Sequence, residues 1–191
     1  MMGTYSRLPR CFAGMKAGER RDIKMEQQKK QPCKQSSKQL VDKLFQMECR
    51  ISTAESCTGG LLAAALVDVP GASKVFEEGY ITYSNRVKEK LLGVSPDTIG
   101  EFTVVSEEVA REMAAGVAGC TGSELGVSVT GYAGPEDAED GTKAGTVYIG
   151  TCFQGVSEAE GFLFEGGRRE VREQAVQMAL KLAFHRLGER E

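Results

Sequence analysis

A short apolar run, Ile51 to Ala54, passes directly into Glu55-Ser56-Cys57-Thr58-Gly59-Gly60 and then into a second apolar run, Leu61 to Val67, closed by Pro70-Gly71. The first run reads as a buried strand and the second as a helix. A strand that turns straight into a helix calls for a sheet on one side and a helix packed across it.

The same alternation continues along the chain. Leu40, Val41, Leu44 and Phe45 mark one face of a helix, with Ser36 or Ser37 as its cap. Phe76 to Tyr83 reads as a strand, rich in aromatic and β-branched residues. Asn85 can cap a helix from Arg86 to Leu92 that Gly93 ends, and Ser95-Pro96 opens a short further turn. A helix is expected from Ser106 to about Ala118, with Val109, Met113 and Val117 on one stripe, then a strand from Leu125 to Thr130. Thr146 to Phe153 and Ser157 to Phe164 form a hairpin about Gln154-Gly155. A last helix, Arg168 to Leu187, buries Val171, Ala175, Met178 and Leu182. The order predicts an α/β fold, a three-layer α/β/α sandwich around a mixed β-sheet, over residues 36–191.

Residues 1–35 are expected to form a disordered basic extension. The first 34 residues carry nine Lys/Arg against three Asp/Glu, and the chain as a whole is at −3, so the body carries −9. The basic segment lacks aromatic interleaving and a periodic apolar face, and the acidic body argues against a nucleic-acid partner. Organelle targeting is the lesser alternative: Arg7, Arg10, Arg20 and Arg21 suit it, while Glu19 and Asp22 do not. No apolar run approaches the ~18 residues of a membrane span and no secretory signal is visible, so a cytoplasmic location is expected. The six cysteines are scattered with no CxxC pair, and His185 is the single histidine. Reduced thiols and no bound metal or cofactor follow as expectations.

The Ser56 turn has two uses. Its glycines admit a ligand close to the backbone, and the first N–H groups of the helix can serve an anion or oxyanion. A plain helix cap formed by Ser56 or Thr58 is the structural alternative. Serine needs a base, and His185, beside Arg186 on the terminal helix, is a poor one. A lysine with a depressed pKa can substitute. The segment Thr82-Tyr83-Ser84-Asn85-Arg86-Val87-Lys88 lies where a strand end meets a helix start, the sheet edge at which ligands bind. Lys88 is a candidate there, with a solvated helix lysine as the alternative. Cys57 is a rival nucleophile, and Glu55 is either a polar site residue or a buried ion-pair partner. The Gly131-Tyr132-Ala133-Gly134 loop either cradles a phosphate or simply turns.

Seven runs carry a family resemblance: Ala54 to Gly60, Val69-Pro70-Gly71-Ala72-Ser73, Tyr83-Ser84-Asn85, Leu91-Leu92-Gly93-Val94, Val105 to Ala110, Val129 to Pro135, and Gly145 to Gly150. Together, in order, they closely resemble the CinA C-terminal domain family from about residue 36 onward. The resemblance implies a nicotinamide-nucleotide amidase, which hydrolyses nicotinamide mononucleotide to nicotinate mononucleotide and ammonia in pyridine-nucleotide recycling. It implies Ser56 as nucleophile, Lys88 as general base and Tyr83 in support. Arg168 matches the functional arginine, with Arg172 second, and Glu55, Cys57, Thr58, Gly59, Gly60, Thr130, Gly131 and Ala133 are implied to line the substrate. A homodimer or larger homo-oligomer is implied as well.

The sequence departs from that pattern at Glu136-Asp137-Ala138-Glu139-Asp140-Gly141, where relatives carry a glycine-rich loop. Four carboxylates near a phosphate would repel it, whereas facing solvent they would matter little. An amidohydrolase for another small carboxamide, or a catalytically silent nucleotide-binding or assembly module, are the competing readings.

Overall fold

The structure, a computed structural model, describes residues 33–188. Apart from residues 33–35, the extension expected over 1–35 lies outside the described residues. Those three are already helical: α1 covers 33–46, so the boundary expected at 36 falls inside a helix. Ser37 does not cap α1 but sits buried within it, its hydroxyl donating to the Cys33 carbonyl at 2.9 Å.

Five strands form one sheet in the order β2-β1-β3-β4-β5. They are β1 (Ile51–Glu55), β2 (Phe76–Ile81), β3 (Leu125–Gly131), β4 (Thr146–Phe153) and β5 (Val156–Leu163). β1 pairs parallel with both β2 and β3, while β4 is antiparallel to β3 and to β5. Only β4 therefore runs against the rest, which makes the sheet mixed, as expected. The hairpin turn is Gln154-Gly155, both at positive φ.

Period-two alternation sorts the side chains into two cores. Ile51, Leu125, Val127, Val129, Val147 and Ile149 face α1, α2 (Leu61–Val67) and α6 (Arg168–Arg186). Ala54 faces α3 (Asn85–Leu92) and α5 (Glu107–Thr121), with Ile99 of α4 (Pro96–Phe102) packed alongside. On this second face the sheet is made of small residues. A Cβ built on Gly126 would lie 2.3 Å from the Ala114 carbonyl oxygen, and one on Gly150 would lie 2.2 Å from that of Ala110. Ser128 donates its hydroxyl to the same Ala110 carbonyl at 2.6 Å. Helix α5 thus rests on the strands at backbone distance.

Two local expectations are corrected. Asn85 is the first residue of α3 rather than its cap; Ser84 holds that position without a side-chain bond. In α6 the buried stripe is Val171, Ala175, Val176, Ala179, Leu180 and Ala183, with Met178 and Leu182 only partly covered. Among the described residues, no helix is long and apolar enough to cross a membrane.

Candidate active site

The parallel strands β1, β2 and β3 end together, and their carboxyl ends carry Ser56, Thr82 and Gly131. Because β4 is antiparallel and β5 returns beside it, α6 begins at the same edge. That topology gathers four segments distant in sequence: the Ser56 turn, the start of α3, the loop after β3 and the first turns of α6.

The turn itself is held on both sides. The Ser56 N–H donates to the Val129 carbonyl at 2.9 Å, and the Thr82 N–H donates to the Glu55 carbonyl at 2.7 Å, so the neighbouring strands fix where β1 stops. The Gly59 N–H closes the turn onto the Ser56 carbonyl at 3.1 Å. Gly59 and Gly60 have φ of 57° and 94°, a region that side-chain-bearing residues rarely occupy.

Glu55 corrects both readings offered for it. Its side chain, 1% exposed, accepts from the N–H groups of Gly60 (2.9 Å), Leu62 (3.0 Å) and Ala63 (2.8 Å). It is therefore the internal cap of α2, and among the described residues it makes no ion pair. The correction extends to Gly60 and the helix start, because the N–H groups expected to meet an anion are already taken. The N–H groups of Cys57 and Thr58 have no acceptor among the described residues.

Lys88 lies in the first turn of α3 and is 1% exposed, not solvated. Its ammonium donates to the Thr82 carbonyl at 2.8 Å and to Ser56 Oγ at 3.3 Å. No carboxylate pairs with it among the described residues. Burial pushes its pKa down from 10.5 to about 8, against a small opposing pull from Cys57. Cys57 moves the other way: burial pushes its thiol up to about 11 in spite of the Arg172 guanidinium. A thiol held protonated is a poor nucleophile, and it is the Ser56 hydroxyl, not the thiol, that the Lys88 amine contacts.

The remaining expected residues divide. Tyr83 is 65% exposed at the mouth, its hydroxyl accepting from Arg168 at 3.2 Å. The other arm of Arg168 donates to the Gly134 carbonyl at 2.9 Å, so this exposed arginine joins the β3 loop to the start of α3. Arg172 points inward, donating to the carbonyls of Cys57 (2.9 Å) and Thr58 (2.7 Å). Thr130, Gly131 and Ala133 serve the fold: the Thr130 hydroxyl donates to the Val104 carbonyl, and Ala133 is in the core. A Cβ on Gly131 would lie 2.7 Å from the Thr146 carbonyl oxygen, so strand packing by itself requires glycine here.

The acidic loop folds on itself. Asp137 pairs with Lys143 at 2.8 Å and accepts from the Ala144 N–H, while Asp140 accepts from the Thr142 N–H. Its carboxylates face solvent. His185 lies elsewhere, in a shallow groove between α6 and β5 with Thr151, Glu158, Glu160 and Arg186.

Sequence reasoning missed the Thr82 carbonyl that seats Lys88 and the Gly134 carbonyl that seats Arg168. Both are backbone atoms, which no residue type announces.

The comparisons agree with this architecture. A crystal structure of a CinA superfamily protein from Klebsiella pneumoniae is 34% identical with a TM-score of 0.80, covering 83% of this chain and 99% of that one. One from Escherichia coli is 36% identical with a TM-score of 0.76, covering 78% and 87%. A competence-damage inducible protein of Clostridium perfringens is 47% identical over 135 residues, 71% of this chain and 32% of its own. A CinA-like protein of Kosmotoga olearia is 45% identical over 141 residues, 74% of this chain and 34% of its own. The chain therefore spans about a third of the length of these two relatives. The model of the CinA C-terminal domain matches residues 33–187. Since that match runs from α1 through α6 and encloses every segment that builds the Ser56 turn, the chain belongs to the CinA C-terminal domain family.

Proposed function

We propose that this domain is a nicotinamide-nucleotide amidase that hydrolyses nicotinamide mononucleotide through a Ser56–Lys88 dyad. The observation that carries the reading is a buried lysine, without a carboxylate partner among the described residues, whose amine meets a serine hydroxyl at the carboxyl edge of the sheet. Neutral Lys88 takes the Ser56 proton as Oγ attacks the carboxamide carbon. The oxyanion is taken up by the N–H groups of Cys57 and Thr58, a donor of this kind lowering the barrier by ~3 kcal/mol. Lys88 returns the proton to the departing ammonia, and water then hydrolyses the acyl-enzyme to the carboxylate. Exposed Arg168, with no carboxylate partner among the described residues, suits the phosphate of the substrate.

Ammonia release from nicotinamide mononucleotide by wild type, Ser56→Ala, Cys57→Ala and Lys88→Ala tests the proposal. Turnover by wild type and Cys57→Ala, with loss in the other two, is expected. A pure wild-type protein that binds the nucleotide without releasing ammonia would instead indicate a binding module. Turnover of other small carboxamides alone would move the substrate assignment.

A further inference from the structure

Arg172 carries a positive charge into the turn but meets no carboxylate among the described residues. Its Nε and Nη2 go to the carbonyls of two consecutive residues, Cys57 at 2.9 Å and Thr58 at 2.7 Å. A peptide unit is planar, so a carbonyl held on one side fixes the direction of the N–H on the other. The Cys57 carbonyl shares its peptide plane with the Thr58 N–H. The Ser56 carbonyl, tied to the Gly59 N–H at 3.1 Å, shares its plane with the Cys57 N–H. These two N–H groups are the ones in the turn that lack an acceptor among the described residues, while Gly60, Leu62 and Ala63 give theirs to Glu55.

We propose that Arg172 is a positioning residue for the hydrolytic step: its guanidinium grips the backbone behind the oxyanion donors, and it does not touch substrate. The inference rests on Ser56 acting as the nucleophile. The cation does two things. It sets the angle of the Thr58 N–H, and it draws electron density toward the Cys57 oxygen, which makes that N–H a stronger donor. Arginine suits the task because one planar fork spans two adjacent carbonyls, whereas a lysine ammonium is a point charge on a flexible stem. The same reasoning removes Arg172 from the substrate-binding set and leaves Arg168 as the arginine presented to solvent.

A fluorophosphonate probe reads the step without assuming a physiological substrate, because its phosphoryl oxygen must enter the oxyanion site as Ser56 Oγ bonds to phosphorus and fluoride departs. The second-order rate of labelling is followed by intact mass on the full chain, with Ser56→Ala as the blank. Arg172→Met is expected to label about 30-fold more slowly, with the pH midpoint unchanged and added guanidinium restoring a good part of the loss. Arg172→Lys should fall between that variant and wild type. Lys181→Met, at an exposed position of the same helix away from the turn, should label at the wild-type rate. Labelling of Arg172→Met or Arg172→Lys at the wild-type rate overturns the proposal, as does a slow Arg172→Met that guanidinium leaves unchanged. Absence of Ser56 labelling in wild type defeats the serine-nucleophile reading, and this inference with it.

Discussion

The amine of Lys88 sits 3.3 Å from the hydroxyl of Ser56, 32 residues earlier in the chain, and both lie at the sheet edge. As the proposed base, Lys88 can work only when neutral. With its pKa lowered to about 8 by burial, the fraction able to accept a proton falls tenfold for each pH unit below that value. Turnover per active site is therefore expected to rise through a single ionisation centred near pH 8 and then level off. A midpoint near 10 in a pH–rate profile would mean that Lys88 is not the base.

The same burial costs stability. An unfolded lysine keeps its proton to about pH 10.5, whereas folded Lys88 releases it near 8. Between these values the unfolded chain binds more protons, so stability rises with pH; below pH 8 the full penalty stands. Lys88→Met is expected to be more stable than wild type at pH 7 by on the order of 1–3 kcal/mol in urea unfolding, while losing amide turnover. The advantage should shrink as pH rises from 8 toward 10.5.

Glu55 tests the scaffold without touching the chemistry directly. Its carboxylate serves three N–H groups at the head of α2. Glu55→Gln keeps the shape but supplies one acceptor oxygen and no charge, and is expected to cost about 1–3 kcal/mol in denaturant unfolding. Turnover should fall too, since the cap shapes the turn that carries Ser56.

The seat of α5 can be tested at Gly150. A methyl group there would meet the Ala110 carbonyl at 2.2 Å and the Ser128 hydroxyl at 2.6 Å, both anchored. Gly150→Ala is expected to lower Tm by roughly 10 °C in thermal unfolding, because a whole helix must lift off the sheet. Gly119, whose added Cβ would meet nothing within 4 Å, should tolerate alanine.

Thiol chemistry separates Cys57 from Cys120. Cys57 is buried with its thiol pushed up to about 11, whereas Cys120 is exposed. Iodoacetamide at pH 7.5 is expected to modify Cys120 first, with Cys57 slower by about a hundredfold or more in peptide mass analysis. Fast modification of Cys57 would reopen its claim as nucleophile.

Much of the architecture was legible because periodicity reports burial directly. Val109, Met113 and Val117 announce α5, and the alternation along Thr146 to Phe153 announces β4. The sheet order was not legible, since nothing local in β1 tells that β2 and β3 flank it. The site shows the same division. Gly59-Gly60 marks a turn by residue type alone, but that Lys88 reaches Ser56 came only from the family resemblance. The resemblance implies Glu55, Arg172 and Thr130 for the substrate, and each spends its side chain on backbone atoms of this chain. Polar residues near a turn look alike in sequence whether they face a ligand or a carbonyl.

The reach of α6 back to the Ser56 turn also sets an order of events in time. Cys57 and Arg172 are 115 residues apart, so on a ribosome the turn emerges long before the arginine that grips it. A nascent chain ending between residues 88 and 171 would hold Ser56 and Lys88 yet lack the fastening behind them. Domains fold as units during synthesis, and under the role proposed for Arg172 full competence would arrive only with α6.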